Sequence, residues 1–167
     1  MRSLFAAALG LAALTAQPLP AQDAPPASAT LMGVDGAAVG IAQITEGPHG
    51  VLIHADLEGL PPGPHAIHIH ETGVCEAPFE SAGAHYDDGG AEHGYLVAEG
   101  PHTGDLPNLH VPESGAVAVE TTSAATLAML RDQDGAALIV HAGPDDYHSQ
   151  PSGASGDRIA CGVIGEP

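Results

Sequence analysis

The chain is divided into short segments by 22 glycines and 15 prolines spread over 167 residues. Between these breaks, apolar or alternating stretches have strand character, and no stretch keeps a helical period. Seven segments of this kind are residues 29–34, 38–45, 50–57, 65–71, 115–121, 136–141 and 158–164. A turn of helix fits only residues 123–131. The sequence therefore predicts an all-β fold, an antiparallel sandwich or barrel of seven or eight strands.

Two stretches of the chain do not fit this rhythm of strands. Residues 72–106 and 142–157 are rich in Gly, His and Asp, and they are too long to be simple connections. Loops held on a rigid scaffold often carry binding and catalytic side chains. We therefore expect the function of the chain to lie in these two long loops.

The charge of the chain excludes several classes of function. It carries 21 Asp and Glu against 3 Lys and Arg, which gives a formal net charge of -18 with neutral histidines. Such an acidic chain has too few cationic side chains to attract nucleic acid or an anionic membrane, so we expect neither partner. Lysine is absent, which excludes Schiff-base and P-loop chemistry.

The first 21 residues are predicted to be a signal peptide. One arginine precedes a weakly apolar run over residues 4–16, which is too short to span a bilayer as a helix. Residues 22–28 follow as a flexible arm rich in Pro and Ala, and residues 29–167 are expected to form one domain. Export would place this domain in the periplasm or outside the cell.

Export also decides the expected state of the two cysteines. Because these compartments are oxidising, Cys75 and Cys161 are expected to form a disulfide rather than remain as free thiols. The bond would close a loop of about 85 residues, and the loop entropy that it removes from the unfolded chain is worth at most about 4–5 kcal/mol.

The histidines carry most of the chemical information. His68 and His70 stand two residues apart on a predicted strand, so they share one face while Ile67 and Ile69 point into the core. One metal ion could bind both imidazoles, and the alternative is a pair of solvated polar residues. His141 ends another apolar strand and can point back to the same face. A partly open site with only nitrogen ligands suits copper.

A second group of metal-binding side chains lies in the first long loop. His85, His93, His102 and Asp105 recur there in a stretch rich in glycine. Three imidazoles and one carboxylate complete a tetrahedral zinc site and leave no position for water, which is typical of a structural site. The alternative is a polar loop that is rich in histidine by chance.

Together these motifs resemble the copper/zinc superoxide dismutases of the exported bacterial type. Residues 65–71 are similar to the copper-binding strand of that family, and residues 81–85 to its segment with the bridging histidine. Residues 93–108 resemble its zinc loop in order and spacing. Residues 145–162 are similar to the segment that contains the active-site arginine and the second cysteine. The resemblance covers nearly all of the chain after the leader.

The resemblance implies a fold and a set of metal ligands. The implied fold is an eight-stranded antiparallel Greek-key sandwich or barrel with two long functional loops, and the implied cofactors are one copper and one zinc ion. Copper would be bound by His68, His70, His85 and His141. Zinc would be bound by His85, His93, His102 and Asp105.

The resemblance also implies individual roles. His85 would be a catalytic residue, shared by both metals as an imidazolate and able to deliver a proton. Arg158 would be the second catalytic residue, because its cationic fork holds the small superoxide anion. Asp145 would link a zinc histidine to a copper histidine. Ser152 stands where relatives often carry a threonine, six residues before the arginine, and it keeps the hydroxyl group.

The predicted activity is the conversion of superoxide to dioxygen and hydrogen peroxide. Two alternatives are a copper carrier on the same fold that performs no turnover, and a zinc hydrolase that uses three histidines and a water. The absence of lysine predicts weaker electrostatic steering than in relatives whose copper channel is ringed by lysines. An exposed apolar sheet face could support a homodimer, but no segment of the sequence identifies that face.

Overall fold

The computed structural model describes residues 26–165. The predicted signal peptide and the first four residues of the predicted arm lie outside this range. The described residues form nine strands, which are β1 (Ala27–Gly33), β2 (Ala38–Gly47), β3 (Gly50–Leu57), β4 (Gly63–His65), β5 (Ile67–His70), β6 (Leu109–Val111), β7 (Val117–Ser123), β8 (Ala136–His141) and β9 (Arg158–Ile164). They also form a 3-10 turn (Glu80–Ala82) and one short helix, α1 (Leu127–Leu130). No helix among residues 26–165 has the length and apolar character needed to cross a bilayer.

Seven of the strands form one sheet in the order β5-β8-β9-β1-β2-β3-β7, and β4 pairs with β6 in a second, two-stranded sheet. Each recorded strand pair is antiparallel. The chain crosses the sheet from β3, near one edge, by way of β4 to β5 at the opposite edge, and it crosses in the same direction again from β7 to β8. These crossings are the long connections of a Greek key, so the predicted all-β antiparallel fold is confirmed.

The structure differs from the expected strands in three of the places where strands begin, end or pair. The predicted strand 65–71 is divided at Ala66, because β4 pairs with β6 whereas β5 pairs with β8. Ala66 itself bonds to the end of β8, donating to Gly143 O at 2.8 Å and accepting from His141 N at 2.9 Å. Strand β6 was not predicted, because its three residues are too few to show a period. At the N-terminus, β1 begins at a buried Ala27, so the last two residues of the predicted arm belong to the sheet.

The core lies on the inner face of the sheet. In β1, β2 and β3 buried side chains largely alternate with exposed ones, as expected for strands with one face in solvent. Strand β8 is buried at every residue. Its outer face is covered because Phe79 and Ala82 of the first long loop pack against Ala137 and Ile139. The two faces of β8 therefore connect the main core to the loop that shapes the site.

The predicted turn of helix in residues 123–131 is confirmed as α1. Thr126 is its N-cap, and the Thr126 hydroxyl accepts a hydrogen bond from Met129 N at 3.2 Å. The carboxylate of Glu46 accepts a second bond from Leu127 N at 2.6 Å. These acceptors satisfy backbone donors that the first turn of a helix leaves free.

The predicted disulfide between Cys75 and Cys161 is also confirmed, with the two Cα atoms 5.7 Å apart. Cys161 is a buried residue of β9 and Cys75 lies in the first long loop. The bond therefore attaches this loop to the strand that begins with Arg158.

Replacing both cysteines with alanine is expected to lower the free energy of unfolding by about 4 kcal/mol, because the 86-residue separation makes the closed loop long. Urea denaturation of the metal-free protein, followed by circular dichroism, measures this loss. The wild-type protein with its disulfide chemically reduced serves as the control and should lose a similar amount. A loss below about 1 kcal/mol would show that loop entropy does not stabilise this fold.

Candidate metal centre

The first long loop is attached to the free edge of β5. Gly104 O accepts a hydrogen bond from Ile69 N at 2.9 Å, and Ile69 O accepts one from Tyr86 N at 2.8 Å. Backbone bridges form between His68 and Asp105 and between His70 and His85. Side chains that are 15 to 37 residues apart in the sequence are therefore held beside one another.

Two groups of side chains are arranged so that their nitrogen and oxygen atoms could hold a metal ion. In each group, one candidate ligand atom from every member lies within 4.8 Å of the others. The first group is His68, His70, His85 and His141, and all four are buried. The second group is His85, His93, His102 and Asp105. The structure thus brings together both predicted ligand sets, with His85 in each.

The first group presents lone pairs to a common point. His70 Nδ1 donates to Gly83 O at 3.0 Å, His141 Nδ1 donates to Gly156 O at 3.2 Å, and His68 Nε2 donates to Asp145 at 2.8 Å. In the neutral form of each ring the opposite nitrogen then carries the lone pair. Among the described residues, His68 Nδ1, His70 Nε2, His85 Nε2 and His141 Nε2 are buried without a hydrogen-bond partner. Four orphaned imidazole nitrogens fit a copper ion.

The second group converges on one carboxylate oxygen. Asp105 Oδ1 lies 2.8 Å from His85 Nδ1, 3.0 Å from His93 Nδ1 and 3.2 Å from His102 Nδ1. Asp105 Oδ2 is occupied, because it accepts bonds from Gly94 N and His102 N. Three nitrogens and one oxygen match the ligand set of tetrahedral zinc with no position left for water.

His85 belongs to both groups through different atoms of one ring. Its Nδ1 faces Asp105 in the second group, and its Nε2 is one of the orphaned nitrogens of the first. The His85 ring centroid lies 4.0 Å from that of His68 and 5.1 Å from that of His93, one member of each group. A single imidazole therefore separates the two candidate metal positions.

Asp145 joins the two groups a second time. Its Oδ2 accepts a hydrogen bond from His68 Nε2 at 2.8 Å, and its Oδ1 accepts one from His93 Nε2 at 2.9 Å. All three side chains are fully buried. A carboxylate behind a ligating histidine sets the ring orientation and makes the opposite nitrogen a better ligand. The structure therefore places Asp145 between one member of the first group and one member of the second.

Asn108 and Gly153 support Asp145 in ways that the sequence did not show. The Asn108 amide bonds the backbone of Asp145 on both sides, donating to its carbonyl at 2.9 Å and accepting from its N–H at 2.8 Å. A Cβ atom at Gly153 would collide with Asp145 Oδ1 and would approach His93. Asn108 is the last residue of the 104–108 segment that resembles the zinc loop of the family. This resemblance was the one signal in the sequence that pointed to Asn108.

Burial keeps His70, His85 and His141 of the first group neutral. Desolvation is the largest cause that lowers the pKa of His70 to about 2, of His141 to about 3 and of His85 to about 4. Neighbouring imidazoles lower all three further. Burial alone would raise the pKa of Asp105, but hydrogen bonds from His85 and from Gly94 N bring it well below its usual range. At neutral pH these three imidazoles are therefore neutral and Asp105 is ionised, the protonation states that metal binding requires.

Arg158 lies at an open groove beside the first group. Its guanidinium donates to Phe79 O and to Gly83 O, both at 2.7 Å, and Gly83 O also accepts the His70 Nδ1 bond. Burial lowers the pKa of Arg158 from its ordinary value. The groove has a volume of about 400 Å³, and its walls are His70, Gly83, Ala84, His85, His141, Pro151, Ser152, Gly156 and Arg158. A small anion in this groove would meet both the arginine and the imidazoles.

Residues 38–164 match the family model described as copper/zinc superoxide dismutase. The chain belongs to this family. Cu-Zn superoxide dismutase 2 of Aquifex aeolicus is 44% identical over 146 residues, covering 83% of this chain and 85% of the relative. The Cu-Zn superoxide dismutase of Caulobacter vibrioides is 46% identical over 147 residues, covering 83% and 84%.

Solved structures of copper/zinc superoxide dismutases and related proteins share this fold. A doubly substituted SOD-like protein from Bacillus subtilis has a TM-score of 0.77 and 40% identity, covering 82% of this chain and 95% of that one. The copper/zinc superoxide dismutase of Brucella abortus has a TM-score of 0.69 and 33% identity, covering 83% and 99%. Together with the two ligand groups, family membership confirms copper and zinc as the cofactors and confirms that the chain is an enzyme of this family.

The remaining histidines lie outside both ligand groups of this dismutase fold. His65 is buried, and its ring nitrogens each lie 2.8 Å from a backbone carbonyl oxygen, of Pro61 and of His141. His49, His110 and His148 are exposed, and His54 is half-buried on the outer face of the sheet. The eleven histidines therefore divide into six at the metal centre and five elsewhere.

Proposed function

We propose that this chain converts two superoxide anions and two protons into one dioxygen and one hydrogen peroxide at the groove beside Arg158. Copper bound by the first group would supply the one-electron cycle that this reaction needs, which zinc does not undergo. The observation that carries the proposal is the His85 ring, whose two nitrogens face the two ligand groups.

The side chains of the site divide the remaining work. His85 Nε2 is the buried atom that can hold a proton and release it to the substrate, while Asp105 orients the ring from the other side. Arg158 faces the groove with its guanidinium fixed by two carbonyls, so it can bind a small anion without being reordered. Asp145 accepts hydrogen bonds from both His68 and His93, so the two groups retain their relative position.

The two alternative functions fit the site less well. A zinc hydrolase needs an open coordination position for water, and the second group already supplies four protein ligands. A copper carrier has no use for a fixed arginine beside the ligand nitrogens, and the named relatives above are superoxide dismutases. Dismutation is therefore the function that we propose.

The direct test is to load the purified protein with copper and zinc and to follow superoxide decay by stopped-flow absorbance. We expect decay well above that produced by the same amount of free copper, and a coloured protein with one copper and one zinc by mass spectrometry. Decay no faster than free copper would favour the carrier. A colourless protein that retains only zinc would favour the hydrolase.

The proposed enzyme should show weak electrostatic steering. Glu80 acts electrostatically on Arg158, and no lysine is present anywhere in the chain. We expect kcat/KM to change by less than about twofold between roughly 20 and 200 mM salt, because little long-range attraction is present to be screened. Glu80→Lys is the contrast, since a new cation near Arg158 should raise kcat/KM at low salt and make its salt dependence steeper. A steep fall in the wild-type protein would contradict this prediction.

We also propose that the chain is exported to the periplasm or secreted. Residues 1–21 would act as the signal peptide and the next few residues as the arm, and the enzyme domain would begin with β1 at Ala27. The disulfide supports this proposal because such bonds persist in oxidising compartments.

We also propose a homodimer, because exposed Met32, Ile41 and Val163 offer an outer apolar face of the sheet as its interface. Mass spectrometry of the mature N-terminus and sedimentation equilibrium test these two points.

A further inference from the structure

Gln150, in the second long loop, makes a two-point contact with the backbone of His93. Its Oε1 accepts a hydrogen bond from His93 N at 2.9 Å, and its Nε2 donates to His93 O at 2.8 Å. Gln150 lies at the surface and its amide reaches inward, whereas His93 is fully buried. An exposed residue of one loop thus supplies both hydrogen bonds to the main chain of a buried residue in the other.

The two hydrogen bonds from the Gln150 amide directly hold the main chain of His93. Residue 93 lies outside every strand, and within residues 26–165 the hydrogen bonds recorded for its N–H and carbonyl go to Gln150. The His93 ring has two further fixed contacts, with Asp105 through Nδ1 and with Asp145 through Nε2. Those contacts set the direction of the ring, whereas the amide of Gln150 holds the main chain of His93 directly, beside the neighbouring bond from Gly94 N to Asp105 Oδ2.

Asn108 shows the same arrangement in the opposite direction. Asn108 follows the first long loop directly, and its amide bonds the backbone of Asp145 at both its N–H and its carbonyl. Gln150 lies in the second long loop, and its amide does the same for His93. His93 and Asp145 are themselves hydrogen-bonded at 2.9 Å. Each partner of this buried bond is therefore held by an amide from the other loop.

We propose that Gln150 is a positioning residue that holds His93 in place for zinc. The inference rests on the proposed zinc role of the second group. Removing a residue that hydrogen-bonds a metal ligand commonly weakens metal binding by roughly 10- to 100-fold. Because the recorded hydrogen bonds of the Gln150 side chain go to His93 and His148 and not to the first group, the effect should fall on zinc and leave copper affinity within about twofold.

Metal binding is the readout that separates this role from a general one. Pro151 and Ser152, which follow Gln150, line the groove, so a change in activity alone would not identify the cause. Gln150→Leu removes both hydrogen bonds to His93 at similar volume, together with the longer bond from Gln150 Nε2 to His148 O at 3.3 Å, and Gln150→Glu keeps only the acceptor. Gln133→Leu is the matched control, because Gln133 is exposed in the turn before β8. Zinc and copper dissociation constants are measured by chelator competition, and Co²⁺ bound in place of zinc reports the ligand geometry through its visible spectrum.

We expect zinc binding to weaken about tenfold or more in Gln150→Leu, less in Gln150→Glu and not at all in Gln133→Leu. The Co²⁺ spectrum should change only in the two Gln150 variants. Zinc binding within about twofold of wild type in both Gln150 variants would overturn the inference, as would equal weakening of zinc and copper together with a lower melting temperature of the metal-free protein. Failure of the wild-type protein to bind zinc would instead overturn the proposed function itself.

Discussion

Replacing His85 with alanine is expected to reduce kcat/KM for superoxide by about 100-fold or more, because a positioned proton donor contributes roughly 10²–10⁴ to such reactions. The same change removes one nitrogen from each ligand group, since Nδ1 faces Asp105 and Nε2 belongs to the first group. We therefore also expect weaker binding of both copper and zinc. Stopped-flow kinetics and metal analysis by mass spectrometry measure the two effects.

Two further variants show whether the shared ring is the cause. His102→Ala removes a member of the second group alone, so it should weaken zinc binding and leave copper binding close to wild type. His110→Ala is the matched control on β6, where the ring is exposed and belongs to neither group. If His85→Ala lost no more activity than His102→Ala, the shared role of His85 would be wrong.

Acid is expected to destabilise the metal-free protein steeply below about pH 6.5. Burial lowers the pKa of His70 to about 2, of His141 to about 3 and of His85 to about 4. Above the ordinary histidine pKa these rings are neutral in both states and add no pH dependence. As the pH falls below it, the unfolded chain binds protons that the folded chain does not bind. Each ring then lowers the free energy of unfolding by up to about 1.4 kcal/mol per pH unit until its folded pKa is reached.

Urea denaturation at a series of pH values between about 7 and 4 measures this slope. His141→Gln should reduce the slope by about one third, because one of three buried rings can no longer take up a proton in the unfolded chain. His49→Gln is the control, since the His49 ring is exposed. A wild-type slope no steeper than that expected for a single group would contradict the neutral, buried state of these histidines.

Most members of the ligand sets could be predicted from local rules, whereas the assignment of His85 to both sets came from the resemblance to the family. His68 and His70 are separated by the strand period, so one face must carry both, and the structure places both rings in the first group. His85, His93, His102 and Asp105 were singled out by residue type and spacing within one loop. The division of the predicted strand at Ala66 could not be found in this way, because it depends on which neighbouring strand each half pairs with.

The side-chain amide contacts between the two loops also could not be predicted from the sequence. Asn108 and Asp145 are 37 residues apart, and Gln150 and His93 are 57 apart. Neither contact leaves a periodic or compositional trace, since an amide in a loop can equally bond water. The choice of nitrogen in each ring has the same origin. His70 leaves Nε2 unpartnered because its Nδ1 bonds Gly83 O, whereas His68 leaves Nδ1 unpartnered because its Nε2 bonds Asp145.

The sequence by itself determined the all-β class, the two long loops, the cysteine pair and the identity of the side chains that meet at the metal centre. These features depend on residue type and on spacing along the chain. Only the tertiary structure decided which ring nitrogen faces which group, that Arg158 is held by Phe79 O and Gly83 O, and that each loop supports a buried residue of the other. The physical reason is that hydrogen bonds between distant loops depend on where the folded backbone places donors and acceptors, and that placement arises only when the loops dock on the sheet.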